Sequence, residues 1–182
     1  MPAFHPDRLD APQDTPVPKT GNTRVFVCSA GELFGPWILD EWIERVFAAV
    51  RAAPQWTFLF LTKFPSRLPA LDWPKNAWIG CTIDRQERVP QTTDAFVDLH
   101  LSGVKNKLFI SCEPLLEDLD LYPELMGSLN WIIVGALSKG IVKVQPNSAW
   151  VNNILREAEL YDIPIWFKDN LIFRPQEVPY DY

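Results

Sequence analysis

The run Lys107-Leu-Phe-Ile-Ser-Cys-Glu-Pro-Leu-Leu116 constrains the fold most tightly. Its apolar residues are continuous rather than alternating, the pattern of a strand buried on both faces. It breaks onto a hydroxyl, a thiol and a carboxylate just ahead of a proline. Five further runs share the same grammar: Val25-Phe-Val-Cys-Ser29, Phe58-Leu-Phe-Leu-Thr62-Lys63, Trp78-Ile-Gly-Cys-Thr82-Ile-Asp84, Trp131-Ile-Ile-Val-Gly135 and Ile165-Trp-Phe-Lys168-Asp169. Strands of this kind alternating with helical segments make a parallel sheet with right-handed crossovers. Four of them finish on Ser29, Thr62, Thr82 or Ser111, each with Glu32, Lys63, Asp84 or Glu113 within three residues. If the strands are parallel, these groups share one rim.

The intervening segments read as crossovers. Leu39, Trp42, Ile43, Val46, Phe47 and Val50 recur at helical spacing, with Asp40 and Glu41 suited to the helix N-terminus. Pro65 opens a short helix over 65–71, and Val89, Phe96 and Leu99 share a face within 85–101, where Pro90 either weakens the helix or confines it to the residues after it. Residues 123–126 make about one helical turn. Residues 137–145 read as a loop around Gly140, and Ser148 as the cap of a helix burying Val151, Ile154, Leu155 and Ala158. Beyond Asn170, Pro175, Pro179 and Tyr180 suggest a surface tail.

At 182 residues the chain supports one core but falls short of the roughly 250 residues of a typical closed eight-stranded barrel. The expected architecture is therefore an incomplete TIM-like (βα) barrel, about six parallel strands with crossover helices, over residues 23–182. Residues 1–22 carry Pro2, Pro6, Pro12, Pro16 and Pro18 without periodicity and read as an arm rather than a packed element. The formal charge of −6 and the lack of a basic run argue against a nucleic-acid sheath. No positive segment leads into an apolar one and no run approaches the ~18 apolar residues of a membrane span, so a cytoplasmic protein without membrane partners is expected. Cys28, Cys81 and Cys112 are an odd set without local spacing such as C-x-x-C. They read as small buried residues, with a three-strand thiolate site as the alternative.

Active sites of α/β barrels gather at the carboxyl ends of the strands. That rule selects Ser29, Glu32, Thr62, Lys63, Thr82, Asp84 and Ser138 as candidate cofactor-binding residues, with Glu113 and Lys168 as candidate catalytic residues and Asp169 beside them. Each has a plainer reading as a strand terminator, a cap or a solvated charge. Glu113, so close to a buried run, either finds a hydrogen-bonding partner or holds its proton more tightly, and Lys168 is the partner expected across the mouth. A Schiff-base lysine would occupy the same place, although nothing fixes a carbonyl substrate. His5 and His100 form no pair, and Gly31 and Gly35 lack a phosphate-loop spacing.

The ordered segments Phe4-His-Pro-Asp-Arg-Leu-Asp-Ala-Pro12, Arg24-Val-Phe-Val-Cys-Ser29, Glu32-Leu-Phe-Gly35, Leu61-Thr-Lys63, Trp78-Ile-Gly80, Ser111-Cys-Glu-Pro-Leu115, Trp131-Ile-Ile-Val-Gly135 and Phe167-Lys-Asp-Asn-Leu171 resemble a phage-associated, three-cysteine-motif family of radical S-adenosylmethionine-like proteins of unknown function. The resemblance implies a mouth for S-adenosylmethionine or a substrate. It also implies a [4Fe-4S] cluster on three closely spaced cysteines that would lie ahead of Phe4. The chain is thus expected to be an N-terminally truncated member lacking those cysteines, with no cofactor held by this chain alone. The family's glycine-rich segment after the fifth strand is altered here to Gly135-Ala-Leu-Ser-Lys-Gly140. A companion polypeptide would cover the N-terminal sheet edge.

Three functions stand as expectations: a non-catalytic binding or assembly module; a subunit of a split radical S-adenosylmethionine enzyme completed by a cysteine-bearing segment; or an iron-independent α/β enzyme using Glu113 and Lys168.

Overall fold

The structure is a computed structural model and describes residues 3–19, 23–29, 31–172 and 179. Its strands are β1 (Arg24–Phe26), β2 (Thr57–Thr62), β3 (Ala77–Thr82), β4 (Leu108–Cys112), β5 (Trp131–Val134), β6 (Leu137–Lys139), β7 (Val142–Val144) and β8 (Ile165–Phe167). Six of them form one sheet in the order β1-β2-β3-β4-β5-β8, every neighbouring pair parallel. Because spatial order matches chain order, each right-handed crossover steps the same way. The helices therefore fall on one face and the other face curls inward as a half-barrel, consistent with the incomplete TIM-like barrel expected from the sequence.

The two faces are sorted by the two-residue period of the strands. Phe58, Phe60, Ile79, Cys81, Ile110, Cys112, Ile132, Val134, Ile165 and Phe167 belong to the large core under the helices. Leu59, Trp78, Phe109, Trp131 and Ile133, flanked by Leu61 and Trp166, make a second core on the concave face. Trp78 and Trp131 meet edge to face at 5.8 Å, and the Lys107 ammonium lies 4.9 Å from the Trp78 ring centre. The concave side closes over Gly80, where a Cβ would fall 2.2 Å from Phe109 Cζ. Only a missing side chain lets the Phe109 ring lie across the neighbouring strand.

On the outer face, α2 (Asp40–Arg51) buries Ile43, Phe47 and Val50, and α3 (Val89–Leu101) buries Val89, Thr92, Thr93, Ala95, Phe96 and Leu99. Pro90 is accommodated in the first turn of α3, where its missing N–H has no helical partner to lose. Leu39, expected on the buried stripe of α2, is instead the exposed N-cap residue. Pro65–Ala70 forms a 3-10 helix, α4 (Pro123–Met126) a single turn, and α5 (Ser148–Leu160) buries Val151, Ile154 and Ala158. The cap of α5 is Asn147, whose side chain accepts from the Ala149 amide at 2.9 Å, and not Ser148.

Two expectations are corrected. The arm buries none of its described residues but is docked on the domain and not wholly irregular: it holds a 3-10 turn (Pro6–Arg8) and α1 (Ala11–Asp14), Phe4 stacks on Trp42 at 5.2 Å, and the Trp56 indole donates to the Pro12 carbonyl at 2.8 Å. Aromatic stacking and one buried indole partner supply what the proline-rich composition hides. The expected loop at 137–145 is an antiparallel hairpin of β6 and β7, turned at Gly140 with φ +59°. Pro175 and Tyr180 of the expected tail, like Pro2 of the arm, lie outside the described residues. No described helix is long and apolar enough to cross a membrane.

At the amino ends of the strands, asparagines tie the crossovers down. Asn76 donates to the Val50, Ala53 and Trp56 carbonyls at 3.0–3.2 Å, Asn106 to Pro74 and Ala77 at 2.7 Å, and Asn130 accepts from the Leu108 amide at 2.8 Å. These ties brace the amino-end rim, the face that serves stability in α/β barrels.

The Gly80 contact is directly testable. Gly80→Ala should lower the unfolding free energy by ~1–3 kcal/mol through overpacking against Phe109, read as a lower urea midpoint at unchanged slope. Adding Phe109→Leu should recover part of the loss, which would not happen if the glycine served only chain flexibility.

Candidate functional site

Parallel strands deliver their carboxyl ends to one rim, and the strand period decides which side chains turn into the mouth. Continuing the inward parity of Leu61, Gly80, Phe109, Ile133 and Trp166 places Lys63, Thr82, Asp84, Ser111, Glu113 and Lys168 on the concave side. Thr62, Cys81 and Cys112 face the helices instead.

Two ion-pair clusters stand on this rim. Asp84, 6% exposed, accepts from the Lys63 ammonium at 3.0 Å and from Arg88 Nε at 2.6 Å. Burial pushes the Asp84 carboxyl up, but the hydrogen bonds and charges of Lys63 and Arg88 together outweigh it and hold the group below its ordinary range. Glu113 accepts from the Lys168 ammonium at 2.7 Å and from the Asn170 amide at 3.3 Å. A Cβ on Gly135 would fall 2.6 Å from Glu113 Cγ, so this glycine is the space through which Glu113 reaches Lys168.

Between the clusters, Thr82 and Ser111 sit opposite each other on β3 and β4, at 6% and 3% exposure. Neither hydroxyl makes a hydrogen bond to another described residue. Neither oxygen is sealed from solvent, so the two adjacent hydroxyls form a floor that is open to the mouth and unused by the fold.

The other candidates fare differently. Glu32 is spent on the fold: its oxygens accept from the Phe34 amide at 2.9 Å, the Thr62 hydroxyl at 2.7 Å and the Lys63 amide at 3.1 Å, stapling the loop after β1 to β2. Thr62, as its donor, is part of that staple. Ser138 lies at the root of the hairpin, accepting from Asn170 at 3.3 Å. Ser29 is exposed, lies beyond the end of β1 and makes no hydrogen bond to a described residue.

Three members of the site were not among the candidates drawn from the sequence. Arg88 stands four residues from Asp84, the spacing that pairs side chains on one helical turn. Asn170 donates to the Ala136 carbonyl at 2.8 Å and accepts from the Ala136 amide at 3.1 Å, locking the end of β5 to the turn after β8. Gly135 carries no side chain to suggest a role.

The thiols do not suit an iron-sulfur cluster. Cys81 and Cys112 are fully buried on the helix side, where burial pushes the Cys81 thiol far up and the Cys112 thiol up to about 12. Cys28 is exposed and its thiol is also raised, by partial burial and by the Glu32 charge. Ligation requires thiolates gathered in one place. Among the described residues no group of three His, Cys, Asp or Glu side chains is arranged to hold a metal ion.

A family model described as "Protein of unknown function (DUF5131)" matches residues 2–178, and the chain belongs to that family. No curated protein and no solved structure matches it.

Because the Asp84 carboxyl is held low, the stability it contributes is present above the ordinary carboxylate pKa of about 3.9 and is lost as pH falls through its own lower value. Asp84→Asn should lower the unfolding free energy at neutral pH by ~1–3 kcal/mol, at the low end because Lys63 stays half in water. The difference between parent and variant should shrink as pH falls from 5 towards ~2. Urea titrations across that window check both statements; a constant difference would remove the ion pairs as the cause.

Proposed function

We propose that this protein is a binding module whose carboxyl-end mouth takes a small zwitterionic ligand, one bearing an ammonium and a carboxylate close together. The observation that carries the reading is the pair of unpartnered hydroxyls, Thr82 and Ser111, between the Lys63–Asp84 and Glu113–Lys168 ion pairs. A ligand ammonium would exchange for Lys168 on Glu113, its carboxylate would be taken by the released lysine, and the hydroxyls would complete the contacts.

Binding is favoured over proton transfer for an electrostatic reason. Glu113 and Lys168 neutralise each other at 2.7 Å, so either would have to leave its partner before acting as acid or base. Exchange with a zwitterion conserves the charge balance and releases nothing unpaired. Lys168 and Glu113 are 44% and 26% exposed at the side chain, so the pair is open to such an exchange.

S-adenosylmethionine, the cofactor implied by the resemblance to radical S-adenosylmethionine-like proteins, carries an α-amino acid end of this kind. Glu113, Lys168 and Ser111 are the residues that would hold it. It supplies a radical only with a cluster, and the cysteines of this chain do not fit one, so the reading stops at binding.

Calorimetric titration with S-adenosylmethionine, S-adenosylhomocysteine and methionine tests the proposal. At least one should bind, and Glu113→Gln or Lys168→Met should weaken it about tenfold to a hundredfold, the range for a hydrogen bond to a charged group. Silence across all three zwitterions, or equal binding by parent and both variants, would overturn the reading.

A further inference from the structure

One cavity among the described residues lies away from the mouth. It has a volume of about 570 Å³ and lies beneath the N-terminal arm, between β1 and α2; Glu32 is the only mouth candidate among its lining residues. Val25 and Phe58 of the sheet, with Val27 just past the end of β1, form one wall, and Trp42, Val46 and Ala49 another. These last three fall on one half-buried stripe of α2, beside the fully buried stripe that meets the sheet. A helix with a second apolar stripe has a second thing to cover, and the arm covers it incompletely.

The roof is fastened on either side of the cavity. Phe4 stacks on Trp42 with the Arg45 guanidinium 4.8 Å from its ring centre, and the Pro12 carbonyl takes the Trp56 indole N–H. Between these two fastenings the arm presents His5 and Arg8 to the cavity. Neither side chain makes a hydrogen bond or ion pair with a described residue. The remaining polar side chains at the cavity offer little: Glu32 has three donors already, and Cys28 is a neutral thiol.

We infer that this cavity is a second binding site, for a single-chain amphiphile with an anionic head, a medium-chain carboxylate. The apolar walls take the chain, and Arg8, with His5 beside it, takes the head. The volume lies in the usual range for small-molecule sites, and a hydrocarbon chain entering it takes the apolar walls out of contact with water. The site is independent of the zwitterion proposed for the mouth.

Calorimetric titration of the full chain with octanoate, decanoate and laurate, all below their micelle concentrations, tests the inference. Affinity should rise about fifteenfold per two-carbon step, the equivalent of ~0.8 kcal/mol per buried methylene. Ala49→Trp, or Val46→Phe should the first fail to fold, should abolish binding by occupying the cavity. Arg8→Ala should weaken decanoate at least fivefold and leave decanol unchanged. Affinity that does not grow with chain length, or that survives a folded cavity-filling variant, would mean binding elsewhere and overturn the site. Equal loss of decanoate and decanol in Arg8→Ala would overturn the anionic head.

Discussion

Side chains alternate along a strand, and in this molecule that alternation decides where every polar group goes. Each of the central strands is buried on both faces, so both parities are apolar until the strand ends. At the carboxyl end the inward parity becomes Lys63, Thr82, Asp84, Ser111, Glu113 and Lys168, while the outward parity keeps Cys81 and Cys112 under the helices. A register slip of one residue would exchange the two sets and put charges into the aromatic core. Glycines at 80 and 135 protect the arrangement, because each leaves room for the large inward side chain of β4 or its end, Phe109 or Glu113.

The energetics of the mouth derive from that placement. An ion pair at the surface contributes only about 0–1 kcal/mol, since water competes for both charges. The Glu113–Lys168 pair is half in water and is held in position mostly by Asn170 and by the room at Gly135. Such a pair keeps its geometry while remaining cheap to open. Asp84 is different: it is buried, doubly paired and anchored by Arg88 as well as Lys63, which makes it the fixed side of the mouth. One rigid wall, one exchangeable wall and a floor of free hydroxyls is an arrangement suited to admitting a charged ligand.

The sheet was legible because a both-faces-buried strand is a continuous apolar run, and six of them are hard to read otherwise. The gathering of Glu113 with Lys168, and of Lys63 with Asp84, came from strand direction alone. The features that escaped notice depend on contacts between segments far apart in the chain. Glu32 looked like a ligand residue, but its partners Thr62 and Lys63 are thirty or so residues away and only the fold reveals that its oxygens are used. Asn76, Asn106, Asn130 and Asn170 tie loops through their side-chain amides, and no periodicity marks them. The docking of the arm was not legible because proline count measures the lack of regular structure, whereas the docking rests on Phe4 and one carbonyl at Pro12. The hairpin of β6 and β7 is too short, at three residues a strand, for alternation to stand out.

The role of the mouth rests on hydroxyls that the fold does not use. The unfolding free energy of the Thr82→Val/Ser111→Ala double variant, measured in urea without ligand, separates a binding floor from a structural one. If the floor awaits a ligand, the variant should match the parent within ~0.5 kcal/mol, since no hydrogen bond within the protein is removed. A loss of ~2 kcal/mol or more would mean that the two hydroxyls hold the sheet together and would contradict the assignment of this rim to binding.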